Sequence, residues 1–105
     1  MVKYGSAVFQ ALADDTRREI LDLLRAGERS AGELSDGFPV SRPAISRHLR
    51  ILREAGLVER RKDAQSRIYR LSPEALREVD RWLSSYRVFW SARLHDLKRY
   101  VEEDR

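Results

Sequence analysis

The sequence predicts a mainly α fold of the α+β class, with four helices, a β-hairpin and a long final helix along 105 residues. Before residue 56, apolar residues recur at helical spacing in four segments that begin or end at capping residues. The period then falls to about two on both sides of a polar tetrapeptide, which is typical of a hairpin. No Gly or Pro follows residue 73, so one uninterrupted helix can close the chain. This length, with 42% apolar residues, suits a single domain over residues 1–105.

The first 40 residues carry the signals of three helices and of no strand. Residues 8–12 form a short apolar stripe, which ends before an Asp14-Asp15 pair of the kind that favours a helix N-cap. A second helix is expected over about residues 16–26. Ser30 and Glu33 have the spacing of a capping box, and they open a short third helix that the following Gly-Phe-Pro run ends.

A fourth helix, from about Arg42 to Ala55, has one apolar face and one cationic face. Ser41 is a good N-cap, and Pro43 is tolerated in the first turn, where its missing N–H has no helical partner. At 100° per residue the apolar face holds Ile45, His48, Leu49, Leu52 and Ala55, and the outer face holds Pro43, Ser46, Arg47, Arg50 and Glu54. The apolar face is therefore predicted to enter the core, and the outer face to meet solvent or a partner.

The hairpin is expected over Leu57–Lys62 and Arg67–Leu71, which are rich in strand formers and flank the polar tip Asp63–Ser66. Two helices joined by a short turn and followed by a two-stranded hairpin make a winged helix-turn-helix. The predicted element order is thus α-α-α-α-β-β-α.

Positive charge is concentrated in the fourth helix and the hairpin. Residues 41–71 hold nine of the 21 Lys and Arg but three of the 17 Asp and Glu, a net charge of +6, whereas the remaining residues carry −2. A clustered basic unit of this shape is typical of a nucleic-acid binder. A helix fits the DNA major groove, and Arg matches the O6 and N7 acceptors of guanine. Each Arg taken alone could be a solvated surface charge, but the clustering favours DNA contact.

The final helix is predicted over residues 73–103, after the N-cap and N1 signals of Ser72 and Pro73. Its apolar positions average close to 3.6 residues apart, and they are Leu76, Val79, Leu83, Tyr86, Trp90, Leu94, Leu97 and Val101. A 30-residue helix is roughly 45 Å long, whereas a compact domain of this size has a radius of gyration near 13 Å. The helix is therefore expected to project beyond its own core and to pair with the same helix of a second chain.

Three blocks of the sequence resemble the ArsR/SmtB-type bacterial transcriptional regulators. They are Ala11–Arg18 with Ile20-Leu21, then Ser41–Leu49, then Leu52–Val58, and the similarity extends over roughly residues 6 to 80. The resemblance implies a homodimeric winged-helix repressor that binds an inverted repeat of double-stranded DNA and dimerises through its first and last helices.

Two sets of candidate residues follow from the periodicity and the resemblance together. The expected DNA-contact residues are Ser41, Arg42, Pro43, Ser46, Arg47, Arg50, Arg61, Lys62 and Arg67. The expected dimer-contact residues are Val8, Phe9, Leu12, Leu83, Tyr86, Trp90, Leu94 and Leu97.

The chain departs from the metal-sensing pattern of this family. The third-helix motif reads Glu33-Leu34-Ser35-Asp36-Gly37 and lacks a thiolate, because the sequence contains no cysteine. At the alternative site on the last helix, Asp80 is followed by Arg81 and Trp82 instead of by the expected histidine. Because zinc requires about four N, O or S ligands, two histidines are too few for a typical site. We expect no metal site, no cofactor and a place in the metal-independent branch.

Other classes of protein are disfavoured. The sequence has no cysteine nucleophile, Gly-rich phosphate loop or Gly-x-Ser-x-Gly turn, so an enzyme is not expected. No apolar window is long enough for a membrane span, and a cytoplasmic protein is predicted. The main alternative is a winged-helix module that binds protein, and the sequence names no small-molecule effector.

Three local features leave two interpretations open. His48 is expected to be packed and hydrogen-bonded, although a switch is possible in principle. The aromatic residues between Trp82 and Trp90 suit core and dimer packing better than a ligand pocket. Arg17 and Arg18 could contact phosphate or form ion pairs with Asp14, Asp15 or Asp22.

Overall fold

A computed structural model describes residues 6–103 and has the architecture of a winged helix-turn-helix with a long C-terminal helix. The helices are α1 (Ser6–Leu12), α2 (Asp15–Ala26), α3 (Ala31–Asp36), α4 (Arg42–Glu54) and α5 (Leu76–Glu103), the last preceded by a 3₁₀ turn (Pro73–Ala75). The strands are β1 (Arg29–Ser30), β2 (Val58–Asp63) and β3 (Ser66–Leu71). The predicted fold class is confirmed, and the final helix begins at residue 76 instead of residue 73.

The expectation of no strand before the fourth helix was wrong. The two residues of β1 pair antiparallel with β3, Arg29 opposite Tyr69 and Ser30 opposite Ile68, so the sheet has three strands in the order β1-β3-β2. A two-residue strand is too short to show alternation. This strand forms because the chain between α2 and α3 passes alongside the hairpin β2–β3, and the free edge of β3 supplies its hydrogen-bond partners.

Local capping interactions fix the starts of α2, α3 and α4. The Asp14 side chain accepts a hydrogen bond from the backbone N–H of Arg17, 3.0 Å away, and Ser41 Oγ accepts one from the N–H of Ala44 at 3.2 Å. Ser30 and Glu33 form the predicted capping box. After α4, Gly56 adopts a left-handed conformation with φ 79°, which turns the chain into β2.

The core lies between α1, α2, α3, α4 and the base of the hairpin. Its fully buried large side chains are Ile20, Leu34, Ile45, Leu49, Leu52, Leu57 and Val58. Each side chain of this size contributes about 1.5–3 kcal/mol by its burial. Of the five residues predicted for the inner face of α4, Ile45, Leu49 and Leu52 are in this core and Ala55 packs against it. The outer face is therefore left at the surface.

The C-terminal helix leaves the core after its second turn. Leu76 and Val79 pack against the core and Leu83 is half-buried, but every residue from 84 to 103 is exposed. This projecting segment is about 30 Å long, and it raises the radius of gyration to 18.4 Å. Among the helices of the described residues, none is long and apolar enough to cross a bilayer.

Candidate nucleic-acid interface

A cationic groove of about 410 Å³ lies between the outer face of α4 and the wing, as we call the hairpin β2–β3. Its lining residues are Pro43, Ser46, Arg47, Arg50, Arg53, Arg60, Arg67 and Tyr69. Five of these eight are arginines, and none of the lining residues, all within the described part of the chain, is acidic. The groove therefore concentrates positive charge on one concave surface, which attracts a polyanion.

Helical periodicity places the α4 contributions to this groove. Residues 43, 47 and 50 are three or four positions apart, as are residues 46, 50 and 53, so all five share the side of α4 that faces away from Ile45, Leu49 and Leu52. Because the inner face is fixed in the core, the outer residues cannot rotate away from the surface. Arg42 is exposed at the start of the helix, and Ser41 caps that start through its Oγ.

Strand alternation decides which wing residues reach the groove. Arg60 lies opposite Tyr69 and Lys62 lies opposite Arg67 across the antiparallel ladder. Directly opposed residues project from the same face, and successive residues alternate between faces. Arg60, Arg67 and Tyr69 therefore face α4, whereas Arg61 belongs to the other face of the wing. Lys62 shares the α4-facing side but lies close to the hairpin tip.

The other face of the wing, which we call the outer wing face, is neutralised by ion pairs within the chain. Arg61 pairs with Glu28, and Arg70 Nε lies 2.7 Å from Glu59 Oε2. The hydrogen bond from Arg61 lowers the pKa of Glu28 and raises that of Arg61, so both remain charged. In contrast, none of the five groove arginines forms an ion pair with a residue in the range 6–103. Among the wing arginines, the two without an acidic partner in the described residues, Arg60 and Arg67, are thus the two that line the groove.

Known proteins are similar to this chain in both fold and sequence. Residues 14–60 match the family described as bacterial regulatory protein, arsR family. The transcriptional repressor SdpR of Bacillus subtilis is 38% identical over 79 residues, covering 75% of this chain and 88% of the relative. The chain belongs to the arsR family. It is a DNA-binding transcriptional regulator and not an enzyme.

Two further arsR-family relatives extend the comparison. The ArsR-like transcriptional regulator from Rhodococcus sp. RHA1 has a solved structure with 38% sequence identity and a TM-score of 0.70, covering 92% of each chain. The arsenic resistance transcriptional regulator ArsR1 of Pseudomonas putida is 48% identical over 77 residues, covering 72% of this chain and 60% of the relative. The structural match includes much of the projecting C-terminal helix.

The structure brings together most, but not all, of the residues predicted to contact DNA. Pro43, Ser46, Arg47, Arg50 and Arg67 line the groove. Ser41 and Arg42 lie at the exposed start of α4, Lys62 lies near the wing tip, and Arg61 is on the outer wing face.

The sequence-based set of groove residues missed Arg53, Arg60 and Tyr69. Two signals could have identified the arginines. Arg53 is one helical turn beyond Arg50, and Arg60 is two positions before Lys62 on the same face of a strand. Tyr69 is buried at the base of the groove, and its position depends on the ladder register.

The predicted dimer residues are distributed between the core and the surface. Val8 is only 6% exposed and belongs to the core, so it has little surface left for a partner chain. Phe9 packs edge-on against Trp82 with ring centroids 5.5 Å apart, and Leu12 is partly buried. Leu83 is half-buried, whereas the remaining candidates on α5, Tyr86, Trp90, Leu94 and Leu97, are exposed.

The structure also shows which contacts the two consecutive arginines of α2 make within the chain. Arg18 forms an ion pair with Asp15, and Arg17 donates to backbone carbonyls and to the His48 ring. His48 is therefore packed and hydrogen-bonded, as expected. Within residues 6–103 no three Asp, Glu, His or Cys side chains are grouped closely enough to hold a metal ion.

Proposed function

We propose that this regulator is a homodimeric, sequence-specific repressor that binds an inverted repeat and does not require a metal ion. The observation that carries the proposal is the cationic groove, where five arginines without acidic partners among the described residues line one surface formed by α4 and the wing. Duplex DNA is a polyanion whose regularly spaced phosphates complement this arrangement of positive charge.

The two sides of the groove have different parts in the proposed complex. The outer face of α4 enters the major groove, where Arg47 and Arg50 can donate to guanine O6 and N7 and Ser46 can bond a base or a phosphate. Arg60 and Arg67 approach the backbone from the wing. Base contacts supply sequence preference, and phosphate contacts supply sequence-independent affinity and register.

Dimerisation is proposed because the projecting part of α5 is apolar on one side. Leu94 is 66% exposed, and Tyr86, Trp90 and Leu97 are also largely exposed on the same stripe. A second copy of the helix can cover this stripe, and two α4 helices related by a two-fold axis then read two half-sites in opposite orientation.

Repression and independence from metal rest on different grounds. Repression is inferred from the Bacillus subtilis relative, which is a transcriptional repressor. Metal independence is inferred from a sequence with no cysteine and two histidines. The arsenic-resistance relative makes the opposite outcome worth testing directly.

The decisive experiment is selection of bound sites from random DNA with the purified protein, in the absence and presence of zinc and arsenite. We expect an inverted repeat whose half-sites are about one helical turn apart, recovered equally well under all conditions. Release of the selected DNA by either additive would contradict metal independence, and recovery of a single asymmetric site would contradict the dimer.

The salt dependence of binding to the selected site separates DNA recognition from protein recognition by the same surface. For each phosphate neutralised, log K should fall by about 0.9 per unit of log salt concentration. Arg25→Ala is the control for alanine substitutions of the groove arginines, because Arg25 is an exposed arginine at the end of α2, outside the groove. Failure to select any DNA sequence would favour a protein-binding module.

A further inference from the structure

Arg17, which lies on α2, connects two other helices, α1 and α4. Its Nε donates to the carbonyl oxygen of Ala11 at 2.7 Å, and its Nη2 donates to that of Gln10 at 3.0 Å. These carbonyls belong to the last turn of α1, where a helix leaves carbonyl oxygens without their usual partners four residues on; the Gln10 oxygen also accepts the backbone N–H of Ala13 at 3.2 Å. The third nitrogen, Nη1, lies 3.3 Å from Nδ1 of His48 on α4. One guanidinium thus connects the end of α1 to the middle of the helix that lines the groove.

The chemistry of the guanidinium sets the direction of this contact. A guanidinium has donors and no acceptor, so Arg17 is the donor and His48 Nδ1 the acceptor of this hydrogen bond. The His48 side chain is 18% exposed, so that little water competes for the contact. His48 is adjacent in sequence to Arg47, which lines the groove, and to Leu49, which is in the core.

Asp14 contacts both Arg17 and His48. Its carboxylate accepts the backbone N–H of Arg17 at 3.0 Å, and Asp14 Oδ2 also lies 3.8 Å from His48 Nδ1. The three residues together, which we call the brace, connect the end of α1, the start of α2 and the side of α4. The guanidinium donates from three separate nitrogens and so reaches acceptors on both helices, whereas the three donors of a lysine share a single nitrogen.

We propose that Arg17 is a positioning residue for DNA recognition, because the brace fixes the orientation of α4 relative to α1 and so sets the half-site spacing that a dimer accepts. The proposal rests on the homodimer of the preceding section. In the structure α1 packs against both α4 and α5, so it lies between the groove and the proposed dimer helix.

A small tilt of α4 is enough to change the half-site spacing that the dimer accepts. A helix of 13 residues such as α4 is roughly 20 Å long. Tilting it by about 10° moves its far end by roughly 3.4 Å, which is the rise of one base pair. Loss of the brace should therefore relax the spacing requirement by about one base pair without altering the side chains that contact bases.

The test measures affinity for a series of selected operators in which the spacer between half-sites is shortened or lengthened by one and two base pairs. For the natural sequence we expect at least about tenfold preference for one spacer. In Arg17→Gln and in His48→Leu this preference should fall to about threefold or less. Preference for the correct half-site sequence over a mutated half-site should stay unchanged in both variants.

Three additional variants distinguish positioning from a general loss of stability. His48→Asn keeps an acceptor near the position of Nδ1 and should restore most of the spacer preference. Arg17→Lys should behave like Arg17→Gln because a single ammonium cannot bridge the helices. Arg18→Gln is the matched control: Arg18 donates to the Leu12 carbonyl and pairs with Asp15, both on the α1–α2 side, and should keep the full preference.

The outcomes separate this proposal from the one on which it rests. If the natural sequence shows no spacer preference, the homodimer on an inverted repeat is wrong, and the role of Arg17 is wrong with it. If the natural sequence does show the preference, and folded Arg17→Gln and His48→Leu keep it, only the positioning role is overturned. Circular dichroism at the binding temperature establishes which variants are folded.

Discussion

Strand alternation gives neighbouring arginines of the wing different electrostatic surroundings. Arg60 faces the groove together with four other arginines, whereas the adjacent Arg61 is paired with Glu28 on the outer wing face. A cation already paired with a carboxylate has less to gain from a phosphate, because the existing pair must be broken first. Neighbouring residues of the same type should therefore contribute differently to binding.

Replacing each of these two arginines separately tests the assignment. Arg60→Ala should weaken binding to all DNA sequences alike and reduce the slope of log K against log salt by about one, as expected for a lost phosphate contact. Arg61→Ala should leave the slope nearly unchanged. Fluorescence anisotropy titrations at several salt concentrations measure both. An equal decrease in slope for the two variants would show that the wing does not approach DNA by its α4-facing side.

Asp14 contributes a pH dependence to stability. The backbone N–H of Arg17, with further help from nearby positive charge, holds the pKa of Asp14 below its usual value of about 3.9. Since the folded pKa is the lower one, the stabilisation is complete above the unfolded value and is lost as pH falls through the folded value.

Asp14→Asn isolates this contribution, because Asn is an equally good N-cap but does not titrate. The natural sequence should exceed the variant in free energy of unfolding at neutral pH. The difference should shrink as pH is lowered from about 5 to 2. Urea denaturation over that range provides the measurement. A difference that stays constant with pH would mean that the carboxylate is not stabilised in the folded state.

At the scale of elements, α4 combines a stabilising face and a binding face within 13 residues. Leu49 is buried and Arg50 lines the groove, although the two are consecutive. Because helical residues 100° apart project in different directions, the two properties can change independently. The same separation holds in the wing, where the period of two replaces that of 3.6.

A pair of substitutions at these positions should separate stability from binding. Leu49→Ala should lower the free energy of unfolding by about 2–5 kcal/mol through the cavity it leaves. Arg50→Ala should alter it by less than about 0.5 kcal/mol and should lose about 1–3 kcal/mol of binding to the selected site if Arg50 contacts a base. Chemical denaturation and operator titration measure the two quantities. A large loss of stability in Arg50→Ala would contradict the division of the helix into two faces.

At the scale of the whole molecule, the projecting segment of α5, residues 84–103, does not pack against the core. Within residues 6–103, which extend 62 Å along the longest axis, its aromatic and aliphatic side chains are exposed. An apolar stripe of this size on a lone chain favours association. A second copy of the chain is the simplest partner to bury this stripe, and it also supplies the second cationic groove that an inverted repeat requires.

Trp90→Asp should convert the dimer into monomers, since it places a charge in the centre of the proposed interface. Ala92→Asp is the matched control, because residue 92 lies about half a turn away on the opposite side of the helix. Light scattering gives the mass of each variant. A dimer that persists in Trp90→Asp, or that is lost equally in Ala92→Asp, would refute this interface.

Much of the fold follows from local sequence signals. The helix starts at Asp14, Ser30 and Ser41, the apolar face of α4 and the hairpin with its basic arms were all predictable, since capping and amphipathic periodicity act over a few residues. The same periodicity identified most of the α4 groove residues. The charge contrast between residues 41–71 and the rest of the chain indicated a nucleic-acid partner without any coordinates.

The tertiary structure decided what depends on contacts between distant parts of the chain. The pairing of β1 with β3, the position of Arg60 instead of Arg61 in the groove, the burial of Val8 and the contact of Arg17 with His48 all belong to this class. In each, the partner lies on another element, so local periodicity gives no information about it. The sequence by itself determined which faces are apolar or cationic, and the packing of those faces determined which charges remain available for DNA.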